Sequence, residues 1–396
     1  MCRKLILFTS SYPYGQAEAF LESELPVVAS YFDLITIQPM TMGRCDVSRT
    51  VPENVTVNQP IVSGNRFKKL FFAACRLFRY DGLRSEFFKR KVYCSRIRLY
   101  NYLLAVTIMS SWQKRCIDVD EAILYFYWGF GAAYLIPALR AESYKVVVRL
   151  HAGDLYEECS DGYLPLRSGI FECADRICPV SDYGKRYLIN KYPQVAQKIS
   201  TSRLGTKDFG LGLFCPKGQR KVIVSCGNLI PLKRIHLLAE YLGQLTTSVT
   251  WHHFGDGPEL SLVKSIVKKH PENIETVLHG RKSNSEVLHF YANNHIDAFV
   301  SVSSREGVPV SIMEAMSFGL PVLATDVGGT AEILCATRSV LIPKDLDKHV
   351  FADAMDKVLS LSLSIDSRIE IRNYWHKVSS AKVNYKIFAE NVLLGD

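Results

Sequence analysis

Short apolar runs alternate with longer, helix-like stretches along most of the chain. The runs are four to six residues long and rich in Ile, Leu and Val, which is typical of buried parallel strands. Alternation of such strands with helices indicates an α/β fold whose sheets are covered by helices on both faces. The pattern predicts strands at Lys4–Phe8, Leu34–Ile37, Ala122–Tyr127, Lys145–Leu150, Arg176–Val180, Lys221–Ser225, Val249–Phe254, Glu275–Leu278, Ala298–Val302 and Pro321–Ala324.

The spacing of these strands predicts two domains. A chain of 396 residues has room for two domains of ordinary size, each with its own core. The predicted strands fall evenly on either side of residues 209–219, whose Gly, Pro and Lys content is typical of a linker. We therefore expect one doubly wound, Rossmann-like domain over 1–208 and a second over 220–374. Because open parallel sheets bind ligands at the carboxyl ends of their strands, the two domains are expected to face a central cleft.

The stretch from Ser303 to Glu332 contains the most informative local pattern. It predicts a strand end, a tight loop, a helix, a second strand and a Gly-Gly turn. Pro309 suits a first helical position and Gly319 a left-handed helix cap. A buried strand that leads into a helix N-terminus forms an anion site, because unpaired backbone N–H groups and the helix dipole both favour phosphate.

Two carboxylates bracket this predicted anion site. Glu306 lies in the loop, and Glu314 follows Pro309 by five residues, roughly 7.5 Å along the helix axis. Carboxylates repel phosphate and accept hydrogen bonds from hydroxyl groups. A nucleoside-diphosphate sugar, with phosphate between two hydroxyl-bearing groups, satisfies all three elements. Taken alone, the pair fits a solvated helix face at Glu314 and an ordinary loop charge at Glu306 better than it fits a ligand site.

The whole stretch resembles the retaining glycosyltransferases of family 4, which have the GT-B fold. The family pattern is Ser-x-x-Glu-Gly-x-Pro, four further residues, then Glu-Ala-Met-x-x-Gly-x-Pro-Val, followed by Gly-Gly and Glu. A match of this length implies the same fold and the same donor site. The positions in register are Glu306, Gly307, Pro309, Glu314, Ala315, Met316, Gly319, Pro321, Val322, Gly328, Gly329 and Glu332.

The resemblance implies a binding site for the donor diphosphate. In the family, an arginine stands where this chain has Asn228, and a glycine stands where it has Arg234. Asn228 donates a hydrogen bond without a charge, and loss of a charge-assisted contact costs about 1.5 to 3 kcal/mol unless another base compensates. The implied diphosphate-binding residues are Lys233, Asn228, Gly307, Val308 and Pro309.

The resemblance also assigns the groups around the diphosphate. Glu306 is expected to hold hydroxyls of the donor sugar, and Glu314 those of the ribose. Gly280 and Arg281, after a strand of the second domain, are expected to line the nucleotide-base pocket. Cationic groups and the helix end take the role that a divalent ion has in other transferases. No metal or other cofactor is therefore predicted beyond the donor substrate.

The first domain is expected to supply the acceptor side and one catalytic residue. His151 and Asp154 directly follow a predicted strand, as in the family, where the histidine lies near the donor sugar. His151 and Glu306 are thus the predicted catalytic residues, and Asp154 and Gly15 are placed on the acceptor side. In GT-B proteins the last helix packs back on the first domain, which is expected here for residues 375–396.

Composition and cysteine usage place the protein in a broad class. An apolar fraction of 48% and a charged fraction of 22% are those of a globular protein. The eleven cysteines are odd in number and lack Cys-x-x-Cys spacing, which favours reduced thiols. The chain opens without the pattern of a secretory signal, since Met1–Lys4 runs directly into the first predicted strand. A cytoplasmic location is expected.

The net charge of +9 is concentrated in residues 66–115. Thirteen Lys or Arg stand there against only Asp81 and Glu86, a balance of +11. Aromatic residues are interleaved with the basic ones, which favours peripheral contact with an anionic membrane. An amphipathic helix pair that covers the sheet explains the same pattern equally well. Nucleic acid is not an expected partner, because no recognition module accompanies the basic residues.

The predicted function is transfer of a sugar, with retention, from a nucleoside-diphosphate donor to a hydroxyl acceptor. The expected acceptor is a glycan or lipid-linked glycan, as in the synthesis of envelope polysaccharide. Two alternatives stay open. A GT-B nucleotide-sugar epimerase would use the same fold, and a non-catalytic GT-B partner protein would have lost diphosphate binding at Asn228.

Overall fold

The computed structural model describes residues 3–15, 18–42, 48–62, 80–112, 121–139, 145–215, 220–345 and 347–395. The chain forms two compact units, the first made of Met1–Arg203 and Tyr385–Asp396 and the second of Leu204–Asn384. The chain thus enters the second unit before the expected linker at 209–219, of which residues 216–219 lie outside the described part. It returns to the first unit at Tyr385, ten residues after the expected boundary at 375.

The first unit is built around a parallel sheet, six-stranded in the described residues, in the order β3-β2-β1-β4-β5-β6. The chain builds β1, β2 and β3 outward on one side, then crosses to build β4, β5 and β6 on the other. The order is that of a doubly wound nucleotide-binding fold. Its strands are β1 (Lys4–Thr9), β2 (Leu34–Pro39), β3 (Val55–Val57), β4 (Ala122–Phe126), β5 (Val146–Leu150) and β6 (Arg176–Pro179).

The second unit repeats this topology. Its parallel sheet, again six-stranded in the described residues, has the order β12-β11-β10-β7-β8-β9, which is the same winding pattern. The prediction of an α/β protein with two doubly wound sheets is confirmed. The strands are β7 (Lys221–Cys226), β8 (Val249–Phe254), β9 (Ile274–Leu278), β10 (Ala298–Ser301), β11 (Val322–Thr325) and β12 (Ser339–Ile342).

The ten strands predicted from sequence are all present, with ends that agree to within two residues. Two further strands, β3 and β12, were not predicted. Each is the outermost strand of its sheet and is only three or four residues long. Burial alternates along β12, with Val340 buried and Leu341 exposed, so neither strand shows the continuous apolar run of a central one.

Helices cover both faces of each sheet. Along β1, Leu5 and Leu7 pack into one apolar cluster while Ile6 and Phe8 pack into another, as the two-residue period of a strand requires. The helices of the described residues are α1 (Leu21–Ala29), α2 (Asp81–Lys89), α3 (Arg96–Trp112), α4 (Ile136–Leu139), α5 (Ala152–Leu155), α6 (Arg167–Cys173), α7 (Asp182–Lys191), α8 (Ile235–Leu242), α9 (Leu260–Val267), α10 (Asn284–Asn293), α11 (Val310–Ser317), α12 (Thr330–Ile333), α13 (Lys348–Leu361), α14 (Ile365–Ser379) and α15 (Ala381–Phe388).

The end of the chain belongs to the core of the first unit. The expected C-terminal helix is interrupted at Ser380, between α14 and α15. Beyond α15 a short π-helix spans Ala389–Leu393. Phe388 and Leu393 are fully buried in the cluster that also contains Leu5 and Leu7 of β1. The last residues therefore stabilise the first sheet, whereas α14 belongs to the second unit.

The basic, aromatic segment 66–115 is described in part, at residues 80–112. Here α2 and α3 pack against the first sheet, with Tyr102 and Val106 fully buried in its core. Covering the sheet is therefore one role of this segment. Within the described residues, none of the helices combines the length and apolar character needed to cross a bilayer. Residues 66–79 and 113–115 of the expected basic surface lie outside the described part.

Candidate functional site

Two predicted site residues meet where the winding direction of the second sheet reverses. Strands β7 and β10 are neighbours there, and their chains continue to opposite sides of the sheet. The loop after β7 carries Lys233, and the loop after β10 carries Glu306. The Lys233 Nζ atom donates a hydrogen bond to Glu306 Oε1 at 2.5 Å. Such switch points are the usual ligand sites of open α/β sheets.

The loops after β7 and β10 are fixed to each other by backbone contacts. The N–H of Ser304 donates to the carbonyl of Leu232 at 2.8 Å, which places Lys233 next to the β10 loop. The lysine stem runs past Gly227, where a Cβ would make an ordinary van der Waals contact with Lys233 Cδ at 3.6 Å. Lys233 therefore points toward Glu306 because the local backbone directs it there.

The Gly-Gly turn after β11 supports the Glu306 loop from the other side. Gly328 has a left-handed φ of +57°, and a Cβ there would lie 1.9 Å from the carbonyl oxygen of Glu306. The N–H of Gly329 donates to the carbonyl of Gly307 at 2.8 Å. Close backbone approach thus requires a glycine at position 328, where the sequence pattern contains one.

Helix α11 starts directly after the Glu306 loop. Pro309 is its N-cap and not the expected first helical residue, since its ψ of 107° is extended while its carbonyl accepts the first helical bonds. The N–H groups of Val310 and Ser311 come before the first residue that bonds back to that carbonyl, Ile312. With the preceding Gly307 and Val308, this helix end offers the donors of an anion site.

The predicted left-handed cap at the other end of α11 is confirmed. Gly319 has a φ of +74°, and its N–H donates to the carbonyl of Met316 at 2.9 Å. The N–H of Leu320 donates to the carbonyl of Ala315 at 3.2 Å, which completes a Schellman motif. The length of α11, and with it the position of Glu314, is thereby set by the sequence.

The two departures from the family pattern have different structural outcomes. Asn228 is exposed on the loop after β7. Arg234 does not take the place of the missing arginine, because its guanidinium donates to backbone carbonyls of Val302, Ser303 and Lys344 at 2.6, 3.1 and 2.7 Å. Arg234 holds neighbouring loops together, so Lys233 is the cation that reaches the Glu306 carboxylate here.

Glu314 has a partner that the sequence did not reveal. Asn284, at the start of α10, donates its amide to Glu314 Oε1 at 2.7 Å. Burial raises the pKa of the Glu314 carboxyl to about 7, and the hydrogen bond from Asn284 opposes this rise only in part. The carboxyl group therefore changes its charge near neutral pH. Asn284 lies thirty residues away in the sequence, within an ordinary capping box, and carries no local signal of this contact.

The expected base-pocket residues lie after β9. Gly280 has a left-handed φ of +68° and accepts a hydrogen bond from the N–H of Gly255, which joins the loops after β8 and β9. Arg281 is exposed. Beside them the rings of Phe254 and His279 are stacked, with centroids 4.2 Å apart. Stacked rings at the ends of β8 and β9 extend the candidate site toward a flat, aromatic ligand group.

A buried polar triad lies beneath the loops after β7 and β8. Trp251 Nε1 donates to Ser225 Oγ at 2.8 Å, and Ser225 Oγ is 2.8 Å from His253 Nδ1. Burial lowers the pKa of His253 to about 4, so its ring is neutral. The triad was not predicted, although polar residues inside central strands are a usable signal because buried polar groups need partners.

A small pocket lies at the switch point of the first sheet, between β1 and β4. Trp128 contributes one wall, and its indole N–H donates to Glu18 at 2.6 Å. The same carboxylate accepts the backbone N–H groups of Ser10, Ser11 and Tyr12, which fixes the loop after β1. The pocket is lined by Phe8, Thr9, Ser10, Met40, Trp128, Phe130, Gly131 and Ala132.

His151 follows β5 and packs on the aromatic wall of this region. Its ring centroid lies 4.9 Å from that of Tyr127 and 4.4 Å from that of Trp128. Neither ring nitrogen has a hydrogen-bond partner among the described residues, and the side chain is 8% exposed. Burial, with the charge of Arg149, holds the pKa of His151 well below its usual value, so the imidazole is neutral.

The structure gives Asp154 a role other than acceptor contact. Its carboxylate is fully buried and accepts the backbone N–H groups of His151 and Gly129, each at 2.6 Å. Burial raises the pKa of Asp154 to about 7. Because both oxygens bind backbone amides, Asp154 positions His151. Gly15 is compatible with the predicted place on the acceptor side, since it has a left-handed φ of +69° and open space where a Cβ would be.

The described residues contain no group of three His, Cys, Asp or Glu side chains arranged to hold a metal ion. The positive charge at the candidate site comes from Lys233 and the start of α11. Lys233, Glu306 and the start of α11 thus meet at one switch point of a doubly wound sheet. This arrangement is typical of proteins that bind nucleotides.

Comparison with known proteins finds a family resemblance in the second unit. Residues 216–377 match the family model for glycosyl transferases group 1. The putative colanic acid biosynthesis glycosyltransferase WcaL of Escherichia coli K12 is 25% identical over 224 residues, 53% of this chain and 54% of its own length. The chain spans 53 to 63% of the length of the first curated relatives that it matches. The second unit therefore resembles the group 1 glycosyltransferases.

Solved structures show the fold over the whole chain. The lipopolysaccharide outer core galactosyltransferase WaaB has a TM-score of 0.66 at 14% identity, covering 98% of this chain and 99% of its own. HepE of Anabaena, solved in complex with UDP and glucose, has a TM-score of 0.62 at 14% identity with the same coverage. The fold is GT-B, as the sequence predicted.

Proposed function

We propose that this protein is a retaining glycosyltransferase of family 4 that moves a sugar from a nucleoside diphosphate to a hydroxyl acceptor. The observation that carries the proposal is the meeting of Lys233, Glu306 and the start of α11 at the switch point of the second sheet. The group 1 family match and the UDP and glucose bound by HepE support a nucleotide sugar as the donor.

Each part of the site has a defined task in this reaction. Lys233 and the backbone N–H groups of Gly307, Val308, Val310 and Ser311 stabilise the charge that develops on the leaving diphosphate. Glu306 accepts hydrogen bonds from donor-sugar hydroxyls, and Glu314 from ribose hydroxyls. His151 of the first unit is the other catalytic residue we propose, and its imidazole is neutral. The reaction needs no metal, and activity in excess chelator tests this.

A thermal-shift screen of nucleotide sugars tests donor binding directly. A ligand at about 100 times its dissociation constant stabilises the folded protein by about 2.7 kcal/mol. Transfer or slow hydrolysis of the selected donor is then measured in wild type, Glu306→Gln and Lys233→Ala. Transfer lost in both variants supports the proposal. Equal signals in all three favour a non-catalytic partner protein, and interconversion of donor epimers favours an epimerase.

The acceptor we propose is a glycan or lipid-linked glycan of an envelope polysaccharide, used on the cytoplasmic side of the membrane. The similarity to WcaL, a putative colanic acid biosynthesis glycosyltransferase, supports a polysaccharide acceptor. We place the acceptor near the switch point of the first sheet, where Trp128 and Phe130 have flat apolar faces on which a sugar ring can stack.

We further propose that α2 and α3 contact an anionic membrane. Four large apolar side chains there are 52 to 59% exposed, namely Phe88, Tyr93, Ile97 and Tyr100. Ile97 and Tyr100 are three residues apart, so they share one face of α3. Exposed basic residues surround them: Arg84, Lys89, Arg90, Lys91 and Arg96. Apolar side chains among cations suit the interface of an acidic bilayer.

Removing this apolar face is expected to release the protein from vesicles. The variant Ile97→Ser/Tyr100→Ser should float about tenfold less with vesicles rich in anionic lipid than wild type does, because insertion of apolar area is lost. Ile387→Ser is the control, since Ile387 is also 50% exposed but lies on α15. Equal flotation of wild type with anionic and neutral vesicles would refute membrane contact while leaving the transferase proposal intact.

Donor binding is expected to strengthen as the pH rises through about 7. The Glu314 carboxyl has a pKa of about 7, and only its ionised form accepts hydrogen bonds from two ribose hydroxyls. One unit below that pKa about a tenth of the protein is competent, so affinity at pH 6 should be about tenfold weaker than at pH 8. Calorimetric titration with a nucleotide sugar measures this.

The conservative variant Glu314→Gln isolates the carboxyl group. Its amide does not titrate, so the affinity of this variant should vary by less than about twofold over the same pH range. A nucleotide sugar is the right probe, because a free nucleoside diphosphate has a phosphate that itself titrates near pH 6. A full pH dependence in Glu314→Gln would assign the effect to another group.

A further inference from the structure

Lys233 and Glu306, which are assigned to neighbouring parts of the donor, bind each other. The Lys233 ammonium and the Glu306 carboxylate are 2.5 Å apart, and their side chains are only 24% and 12% exposed. In the proposed reaction Lys233 contacts the diphosphate, while Glu306 contacts sugar hydroxyls. The diphosphate is therefore expected to compete with Glu306 for the Lys233 ammonium.

The cost of breaking the pair depends on what the ligand brings. A nucleotide sugar supplies phosphate to Lys233 and hydroxyl donors to Glu306, so both charged groups gain new partners. A nucleoside diphosphate supplies phosphate alone, and a largely buried Glu306 carboxylate then loses its cation without gaining a donor. Leaving a buried charge uncompensated is unfavourable. The ion pair therefore weakens binding of the sugar-free diphosphate much more than binding of the nucleotide sugar.

Neighbouring residues hold the backbone of Glu306 in place. The carbonyl oxygen of Glu306 is covered by the Gly328 turn, and the next residue, Gly307, accepts a hydrogen bond from Gly329. Arg234, the neighbouring cation, is occupied by backbone carbonyls and does not neutralise the carboxylate. Lys233 is therefore the cation that compensates Glu306 within the described part of the site.

We propose that the Lys233–Glu306 ion pair is a specificity device that re-forms when the sugar leaves and so weakens binding of the diphosphate product. This inference rests on the proposed function and adds a role in product release to the same site. It assigns Glu306 a second task besides contact with the donor sugar. Removing the carboxylate should therefore tighten the binding of the product while weakening transfer.

A double-mutant cycle distinguishes a specific Lys233–Glu306 interaction from a general effect of removing a charge. Affinities for inorganic pyrophosphate, UDP and GDP are measured by calorimetry in wild type, Glu306→Gln, Lys233→Ala and the double variant. Glu306→Gln should bind the sugar-free diphosphates about tenfold more tightly than wild type, a coupling usual for residues in contact. In the Lys233→Ala background the same substitution should change affinity less than about twofold.

Glu240→Gln is a matched control, because it removes an exposed carboxylate on α8 that does not bind Lys233. Its affinity for pyrophosphate should stay within about twofold of wild type. Additive effects in the cycle, or equal tightening by Glu240→Gln, would overturn the ion-pair inference and leave the transferase intact. Absence of diphosphate binding in every variant, Glu306→Gln included, would overturn the proposed function itself.

Discussion

Lys233→Ala is expected to lower kcat/KM for sugar transfer by about 10²- to 10³-fold. Lys233 is the cation that meets Glu306 at the switch point, since Arg234 is held by three backbone carbonyls and Asn228 has no charge. Loss of one preorganised group that stabilises charge in the transition state typically has an effect of this size. Initial rates with the donor selected by thermal shift measure it.

The Lys233→Ala substitution should change donor affinity and kcat to different extents. If Lys233 acts mainly on the developing charge of the leaving diphosphate, kcat falls more than donor affinity does. Lys268→Ala is the control, because Lys268 is an exposed residue just beyond α9 and should leave both quantities unchanged. A Lys233→Ala enzyme with nearly wild-type kcat would show that the helix N-terminus alone stabilises the leaving group.

The fold could be predicted because its central strands are continuous apolar runs. A central strand such as β4, with the sequence Ala-Ile-Leu-Tyr-Phe, is apolar at every position. The edge strands β3 and β12 lack that signal, since one of their faces meets solvent and they are very short. Glycines at positions of close approach, such as Gly328, were also visible in the sequence, because only one residue type fits there.

The candidate site was predictable in its residue types and much less in its contacts. The sequence placed Lys233 and Glu306 in the same site but gave no sign that they bind each other. It could not show that Arg234 is turned toward carbonyls, or that Asn284 holds Glu314. These outcomes depend on side-chain directions set by loops that are distant in sequence, and local patterns do not encode those directions.

Asp154 illustrates a different limit. Its position after β5, close to His151, suggested a place on the acceptor side. In the structure its carboxylate is turned inward and accepts hydrogen bonds from two backbone amides. An acidic residue near a strand end can bind ligand or bind backbone, and both choices satisfy its hydrogen bonds. Burial decides between them, and burial of a single polar residue is a property of the tertiary structure.

Arg149→Met is expected to destabilise the first unit by about 3 to 5 kcal/mol. Arg149 and Glu24 are fully buried, with Nη1 2.5 Å from Glu24 Oε2, and the guanidinium lies over the ring of Phe388 at 4.1 Å. Removing one partner of a buried pair leaves the other charge uncompensated, which is the origin of this large cost. For a unit of this size, circular dichroism should show an apparent Tm about 10 °C lower.

The pH dependence of this loss has a definite sign. Burial already raises the pKa of Glu24, and loss of Arg149 removes the main opposing influence. A carboxyl whose folded pKa lies above its unfolded value is increasingly destabilising as pH rises above the unfolded value, so the deficit should be larger at pH 8 than at pH 5.

Adding Glu24→Gln to Arg149→Met should recover much of the stability and remove the pH dependence. Arg203→Met, which breaks the exposed pair with Asp182, should cost less than about 1 kcal/mol. Similar losses in Arg149→Met and Arg203→Met would show that desolvation of Glu24 is not the cause.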